Sequence, residues 1–168
     1  MSAPMCRVAL AVVTGAGGSI GRAIALELGR RGMDVALLGR TEATLRAAAF
    51  EVERAGVRTL VTCADVAVDE QVRRAAGEIE SVLGVPQVVV NNAGVAGRMA
   101  RIEETSEPEW DAVVGPNLKG VFLVTRALLP SMRAAGRGRF VTIASISATL
   151  GTAGLAAYCA SKWGAVGL

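Results

Sequence analysis

Five short apolar runs alternate with longer segments in which apolar positions recur at helical spacing. The runs are rich in valine, leucine and isoleucine and are bounded by glycine, aspartate or asparagine, which is typical of buried strands. They occupy residues 8–13, 35–38, 59–63, 87–90 and 140–144. The other segments predict helices at residues 19–31, 42–55, 69–83, 107–114, 118–135 and from 155 onward.

Strands that alternate with helices indicate βαβ units, in which the crossovers are right-handed and the strands are parallel. The pattern therefore predicts an α/β fold, a doubly wound parallel sheet with helices on both faces. We expect both faces of every strand to be buried. Residues 1–168 contain no linker and no repeat, and 52% of them are hydrophobic, so we expect a single domain.

The formal charge is only +3, and the basic residues are scattered without interleaved aromatics. This pattern argues against a nucleic-acid partner. The apolar run near the start, residues 8–13, is too short to span a bilayer and lacks the flanks of a secretory signal. We expect a soluble, cytoplasmic protein without a membrane partner.

Cysteine and histidine usage limits the chemistry. The three cysteines, Cys6, Cys63 and Cys159, are far apart, and there is no histidine, which leaves no usual zinc pattern and no histidine-based triad. We expect no metal, and acid–base chemistry must come from tyrosine, lysine or carboxylates. Cys159 could be reactive, although a small buried filler is favoured for all three cysteines.

Tyr158 and Lys162 are four residues apart, so on a helix their side chains project from the same face. A phenol ordinarily stays protonated at neutral pH, and an ammonium about 4 Å away would stabilise the phenolate. The pair could therefore transfer protons. The alternative is a tyrosine packed inward beside a solvated lysine.

A glycine-rich turn, residues 14–21, follows the first predicted strand. Glycines let the backbone approach a pyrophosphate, and the following helix offers unpaired N–H groups, although ordinary loop chemistry explains such a turn as well. After the second strand comes Arg40, and the first carboxylate after that strand is Glu42. An arginine suits a 2′-phosphate, which favours NADP and leaves NAD possible. The alternative for Arg40 is a solvated loop charge.

An ordered set of motifs carries a resemblance to a known family. The set comprises residues 14–21, Asp65, Asn91-Asn92-Ala93-Gly94, Asn117, Ser145, Tyr158 and Lys162, with Ser145 thirteen residues before Tyr158. In these features the chain resembles the short-chain dehydrogenases/reductases, a Rossmann-like family, and it is similar to the 3-oxoacyl-acyl-carrier-protein reductases. The resemblance covers their amino-terminal two-thirds.

The resemblance implies which residues bind the cofactor. The diphosphate would lie along Gly15, Ser19, Ile20 and Gly21, the ribose phosphate at Arg40, the adenine at Asp65 and Val66, and the rest of the cofactor along Asn92, Ala93 and Gly94. Structural alternatives are a helix cap or turn for Asp65 and a tight turn for residues 91–94. The same segment also braces the sheet in this family.

The resemblance also implies hydride transfer between the nicotinamide and a ketone or secondary alcohol, with Tyr158 as the general acid or base. Ser145 would hydrogen-bond the carbonyl oxygen. Lys162 would favour the phenolate and bind the nicotinamide ribose, and Asn117 would hold a water that links Lys162 to solvent. Alternatively, Ser145 caps a strand end and Asn117 satisfies a bent helix.

Two residues depart from the family pattern. Ser19 replaces a commoner glycine and brings a hydroxyl near the phosphates. Pro116 precedes Asn117, and because proline disfavours helical geometry at the preceding residue, we expect it to kink or divide the helix there.

The chain ends before a sixth strand, so about a third of the family fold would be absent and residues 140–144 would form an exposed edge. We expect a portion of a longer protein, with a truncated product as the alternative. Besides an oxidoreductase, the sequence allows a nucleotide-binding module without turnover or an interaction domain. A homo-oligomer, dimer or tetramer, is expected because helices near Leu118 and Leu155 pair between subunits in the family.

Overall fold

Five parallel strands form a single sheet in the computed structural model, which describes residues 9–168. They are β1 (Leu10–Thr14), β2 (Asp34–Gly39), β3 (Thr59–Cys63), β4 (Val88–Asn91) and β5 (Arg139–Thr142). The order across the sheet is β3-β2-β1-β4-β5, so the chain changes winding direction between β1 and β4. The predicted doubly wound sheet is confirmed: the bounds of β3 are as predicted, and those of the other strands differ by one or two residues. Val8 and Cys6 lie outside the described residues.

Six helices cover the sheet. They are α1 (Ser19–Arg30), α2 (Glu42–Glu53), α3 (Asp69–Val82), α4 (Glu107–Val114), α5 (Gly120–Ala134) and α6 (Ala156–Gly167). Buried side chains of α3 and α5 pack with Leu10 and Val12 of β1, whereas those of α1 and α2 pack with Val13. Successive strand residues point to opposite faces, so the apolar runs continue because both faces of the central strands are covered.

The outer strands correct the prediction that both faces of every strand are buried. All of β1 is buried, but no residue of β5 is, and Val141 is 44% exposed. In β3 only Thr62 is buried. Each of these strands has a strand neighbour on one side only among residues 9–168, so less of its surface is covered. The predicted apolar edge at residues 140–144 is thereby confirmed for β5.

A π-helical turn, Gly115–Lys119, joins α4 to α5 without a break. It contains Pro116, and the predicted departure from regular helix at this proline is confirmed as a wider turn rather than a helix end. The turn places Asn117 inward, where only 1% of the residue is exposed. The wider turn thus departs from regular helical geometry and buries the amide of Asn117.

The continuous helical stretch Glu107–Ala134 is, among residues 9–168, the segment long and apolar enough to cross a membrane, and an 18-residue window within it has a mean hydropathy of 1.3. Core helices of soluble proteins share this property. Here Leu123, Val124 and Leu128 pack into the core beside the sheet. Length and composition are therefore weak evidence for a membrane span.

Candidate functional site

Thr14, at the end of β1, connects the glycine-rich turn to the end of β4. Its buried Oγ1 accepts hydrogen bonds from the backbone N–H of Asn92 at 2.9 Å and of Ala93 at 3.0 Å, and donates to the Val90 carbonyl at 3.3 Å. In return, Asn92 Nδ2 donates to the Thr14 carbonyl at 2.9 Å. Parallel strands end at the same edge of the sheet, and these bonds hold the two turns together at the position where such folds bind ligands.

Two glycines of the turn cannot carry a side chain. Gly15 has φ +63°, and a Cβ there would lie 2.9 Å from Ala93 Cα. A Cβ on Gly21 would lie 2.7 Å from Asn92 Nδ2 and would also overlap the Gly15 carbonyl. The backbone of the glycine-rich turn therefore packs closely against residues 92–94, the turn that follows β4 (the β4 turn). The surface above this contact is open, and Ser19 and Ile20 are exposed there.

The amino end of α1 has neither a capping side chain nor an acidic residue in its first turn. Gly18 occupies the capping position. Helix N–H groups at such an end and the positive end of the helix dipole attract anions. Ser19 adds a hydroxyl at the first position of the helix, so the serine that departs from the family pattern stands where it can donate a hydrogen bond.

Arg40 and Asp65 follow the carboxyl ends of β2 and β3. Arg40 Nη1 lies 4.0 Å from Asp65 Oδ2, and the arginine side chain is 69% exposed. Asp65 Oδ1 accepts from the Ala67 N–H at 2.9 Å, so the turn role considered for this aspartate is present. Val66 is 6% exposed and belongs to the core cluster below the crevice, the groove at the carboxyl ends of the strands. The side chain of Asp65, and not that of Val66, therefore faces solvent.

The side chain of Asn117 makes hydrogen bonds to two neighbouring segments. Its Oδ1 accepts from the Val95 N–H at 2.8 Å, and its Nδ2 donates to the Val95 carbonyl at 2.9 Å and to Ser161 Oγ at 3.0 Å. Ser161 Oγ in turn donates to the Tyr158 carbonyl at 2.7 Å. The amide therefore links the β4 turn, the π-helical turn and α6.

Tyr158 and Lys162 lie on one face of α6, as predicted from their spacing. Lys162 Nζ is 5.8 Å from the centroid of the Tyr158 ring and donates to the Ile143 carbonyl at 2.7 Å. Only 6% of the lysine is exposed. Burial lowers the pKa of the Lys162 ammonium, and no carboxylate among the described residues counteracts this. The site thus contains a buried cation that has no charged partner among residues 9–168.

Gly94 brings the β4 turn into contact with this cation. A Cβ on Gly94 would lie 2.9 Å from Asn117 Oδ1 and 3.7 Å from Lys162 Nζ. A side chain at Gly94 would therefore collide with the Asn117 amide, and glycine allows the backbone to approach that amide closely. The structure brings together Gly94, Asn117, Tyr158 and Lys162, which the motifs had grouped.

Ser145 follows β5 and begins a short 3-10 turn, Ile146–Ala148, which packs against α6. Its Oγ accepts from the Ser147 N–H at 3.2 Å. Ser145 therefore caps this 3-10 turn, and not the strand end considered as the alternative. A serine hydroxyl has one proton to donate, and this contact leaves that proton available to another acceptor.

Sequence reasoning missed two residues that organise the site. Thr14 serves three backbone groups, and Ser161, which is completely buried, connects Asn117 to Tyr158. Thr14 was part of the quoted glycine motif, but nothing local indicates that its hydroxyl reaches the β4 turn. Ser161 stands directly before Lys162, and its helical position beside the Tyr158–Lys162 pair was the available signal. Residues 9–168 contain no cluster of histidine, cysteine and carboxylate side chains that could hold a metal ion.

The parallel sheet, the glycine-rich turn after β1 and the residues gathered at the carboxyl edge define a Rossmann-like α/β protein. The chain belongs to the short chain dehydrogenase family, whose model matches residues 9–168.

Among relatives, it is 38% identical to an NADPH-dependent pterin aldehyde reductase of Arabidopsis thaliana, over 94% of this chain and 64% of the relative. It is 36% identical to a 3-oxoacyl-[acyl-carrier-protein] reductase of Staphylococcus epidermidis, over 94% of this chain and 65% of the relative. The solved structure of an NAD+-bound xylitol dehydrogenase superposes with a TM-score of 0.92 at 31% identity, over 95% of this chain and 61% of that one. The chain thus spans less than two thirds of the length of these relatives. The family match and the reductase relative confirm the resemblance to 3-oxoacyl-acyl-carrier-protein reductases.

Proposed function

We propose that the protein containing this chain is an oxidoreductase that transfers a hydride between NADP(H) and a ketone or secondary alcohol, with Tyr158 as the general acid or base. The observation that carries the proposal is the buried Lys162 ammonium, 5.8 Å from the centroid of the Tyr158 ring and without a carboxylate partner among the described residues. A buried cation is costly unless it is paired, so its natural partners are a phenolate and the oxygens of a ligand.

Several features of the crevice support the binding of a dinucleotide. The amino end of α1 has no acidic residue in its first turn, and Ser19 and Ile20 are exposed there, which supports diphosphate binding at this end. Gly15 and Gly21 allow the turn before α1 to pack closely against the turn after β4. Asp65 borders the position proposed for the adenine. The bound nicotinamide would supply or accept the hydride, and the residues of this chain would orient the reactants and move the proton.

Arg40 supports NADP over NAD. The guanidinium is exposed beside Asp65 and follows β2, where a carboxylate would instead favour the free ribose hydroxyls of NAD. The Arabidopsis relative is named for NADPH, whereas the xylitol dehydrogenase structure contains NAD+. Because the relatives divide in this way, the proposal rests on Arg40 itself.

The proton path follows from the side chains around Tyr158. In reduction the phenol donates its proton to the substrate oxygen, and in oxidation the phenolate accepts it. Ser145 donates a hydrogen bond to the same oxygen. Its hydroxyl proton is available for this, because the contact with Ser147 uses only a lone pair of Oγ. Lys162 stabilises the phenolate.

Asn117 has a more restricted part than the resemblance alone implies. Both hydrogens of its Nδ2 are used by Val95 and Ser161, so a water bound by this side chain would use the second lone pair of Oδ1. We propose that such a water connects Lys162 to solvent and that the amide holds the surrounding turns in place.

The experiment compares NADPH oxidation by the intact protein and its Tyr158→Phe variant against a panel of ketones. We expect the substitution to lower turnover by at least about 100-fold, because a general acid contributes 10²–10⁴-fold, while NADPH binding measured by calorimetry is retained. Trp163→Phe, which changes a half-exposed aromatic residue on the same helix, is the control and should keep turnover. A wild-type protein that binds NADPH without turnover would instead favour a nucleotide-binding module.

A further inference from the structure

The loop from Ser145 to Leu155 leads into α6, and it joins Ser145 to Tyr158, the two residues that are proposed to act on the substrate oxygen. Its regular structure, at residues 146–148, is one short 3-10 turn, and Ile146 and Leu150 are 73% and 62% exposed. An irregular, exposed loop is ordinarily mobile. Precise catalysis at the oxygen would therefore require contacts that fix the serine relative to the tyrosine.

A series of hydrogen bonds runs along this loop. The Ser147 N–H donates to Ser145 Oγ at 3.2 Å, and Ser147 Oγ lies 3.2 Å from Thr152 Oγ1. The Thr152 N–H then donates to Cys159 Sγ at 3.3 Å, and the Thr152 carbonyl accepts from Leu155 N–H at 3.1 Å. The series therefore reaches from Ser145 to the first turn of α6, where Cys159 is the neighbour of Tyr158.

The central bond of the series joins Ser147 Oγ and Thr152 Oγ1, and its Ser147 partner is buried. Ser147 is 5% exposed, and among the described residues Thr152 Oγ1 is the hydrogen-bond partner of its hydroxyl. A buried hydroxyl that loses its partner costs free energy, so this bond favours one arrangement of the loop. Thr152 supplies both this side-chain contact and the backbone contacts to α6.

We infer that Ser147 and Thr152 are positioning residues, which hold the Ser145 hydroxyl and Tyr158 in one fixed relation to the substrate oxygen. The inference rests on the proposed function. Neither residue needs to touch the substrate, since each acts through its neighbour: Ser147 through the Oγ of Ser145, and Thr152 through the start of α6. Displacing a reacting group by a fraction of its contact distance lowers turnover strongly, whereas cofactor binding depends on other segments.

The test is Thr152→Val in the intact protein, which removes the hydroxyl and keeps the shape of the side chain. We expect kcat to fall about 10- to 100-fold, with the KM for NADPH nearly unchanged. The melting temperature should fall by only about 2–4 °C for each kcal/mol that the unpaired Ser147 hydroxyl costs. Thr149→Val is the matched control, because the Thr149 hydroxyl donates to the Ile146 carbonyl within the same loop and takes no part in the series. Thr152→Ser, which restores a hydroxyl, should recover most of kcat.

A second variant checks that the two residues act through one contact. Ser147→Ala should also lower kcat, and the double variant should be no slower than the slower single variant, because both remove the same bond. Additive losses would overturn the inference.

The remaining outcomes separate this inference from the proposed function. An active wild-type protein in which Thr152→Val behaves like Thr149→Val overturns the inference alone. A loss of NADPH binding in parallel with the loss of kcat overturns it as well, because it indicates a general structural role. A wild-type protein without turnover overturns the proposed function and the inference together.

Discussion

The side-chain amide of Asn117 and the backbone of Val95 exchange two hydrogen bonds, of 2.8 Å and 2.9 Å. Val95 follows the β4 turn, and Asn117 lies in the π-helical turn between α4 and α5. The amide is the one side-chain type that can donate and accept in this way, since a carboxylate only accepts. The pair fixes the turn that carries Gly94 next to Lys162.

Replacing this amide should therefore lower stability. Asn117→Asp places acceptor oxygens against the Val95 carbonyl, and it removes the donor to Ser161 in a buried position. We expect the free energy of unfolding to fall by about 1–3 kcal/mol, measured by urea denaturation. Lys119→Gln, an exposed change in the same π-helical turn, is the control and should stay within about 0.5 kcal/mol of the wild type. Equal stability of the two variants would contradict the role given to the amide.

Gly21→Ala should damage the crevice. Its Cβ would lie 2.7 Å from Asn92 Nδ2 and would overlap the Gly15 carbonyl, so backbone must shift to admit it. We expect a loss of about 1–3 kcal/mol in the free energy of unfolding, together with weaker NADPH binding. Gly77→Ala, on α3, is the matched control because a Cβ there meets nothing within 4 Å. That change should stabilise the helix by about 0.5–1 kcal/mol, and a stabilising Gly21→Ala would refute the close approach.

Arg40→Ala tests the cofactor preference. Losing a charged hydrogen bond of about 1.5–3 kcal/mol to a phosphate should weaken NADPH binding by roughly 10- to 100-fold and leave NADH binding nearly unchanged. Calorimetry with both nucleotides measures the difference. Arg46→Ala removes another exposed arginine, one that pairs with Glu42 on α2, and should change neither affinity. A wild-type protein that prefers NADH would exclude the role proposed for Arg40.

The stability of the protein should depend on pH through Lys162. Burial lowers the pKa of Lys162 in the folded state, whereas the unfolded chain holds this proton up to its ordinary value of 10.5. Between the folded-state pKa and 10.5 the unfolded chain binds more protons, so the free energy of unfolding rises with pH in this window. The cost of the buried charge is fully present below the folded-state pKa.

Urea denaturation between pH 7 and pH 10 measures this effect as the difference between the Tyr158→Phe variant and the same variant carrying Lys162→Met. Removing the phenol from both proteins leaves the lysine as the group by which they differ. The lysine-containing protein should gain stability relative to its partner as the pH rises. A difference that is flat or falls with pH would show that the ammonium is not desolvated.

Much of the fold was predictable because the local pattern and the tertiary environment agree. The apolar runs of β1, β2 and β4 correspond to strands covered on both faces, and helical spacing marked each helix that packs on them. The outer strands β3 and β5 were mispredicted in burial because the same residue types occur in a strand whether or not a second neighbour covers it.

The site was predictable only as a set of positions. The Tyr158–Lys162 spacing gave their common helix face, because helical geometry is periodic. The hydrogen bonds of Thr14 and Ser161 could not be predicted in this way. Thr14 and Asn92 are 78 residues apart, and no periodicity connects residues at such a separation. Those contacts depend on which strands become neighbours, which is a property of the whole sheet.

Because one hydroxyl at Thr14 serves the backbone of three residues in β4 and its turn, the two walls of the crevice cannot open independently. A ligand entering between them meets a surface that is already assembled, so little ordering entropy is lost on association. The same arrangement makes position 14 intolerant of substitution, since a valine, nearly identical in shape, would leave the amide hydrogens of Asn92 and Ala93 without this acceptor.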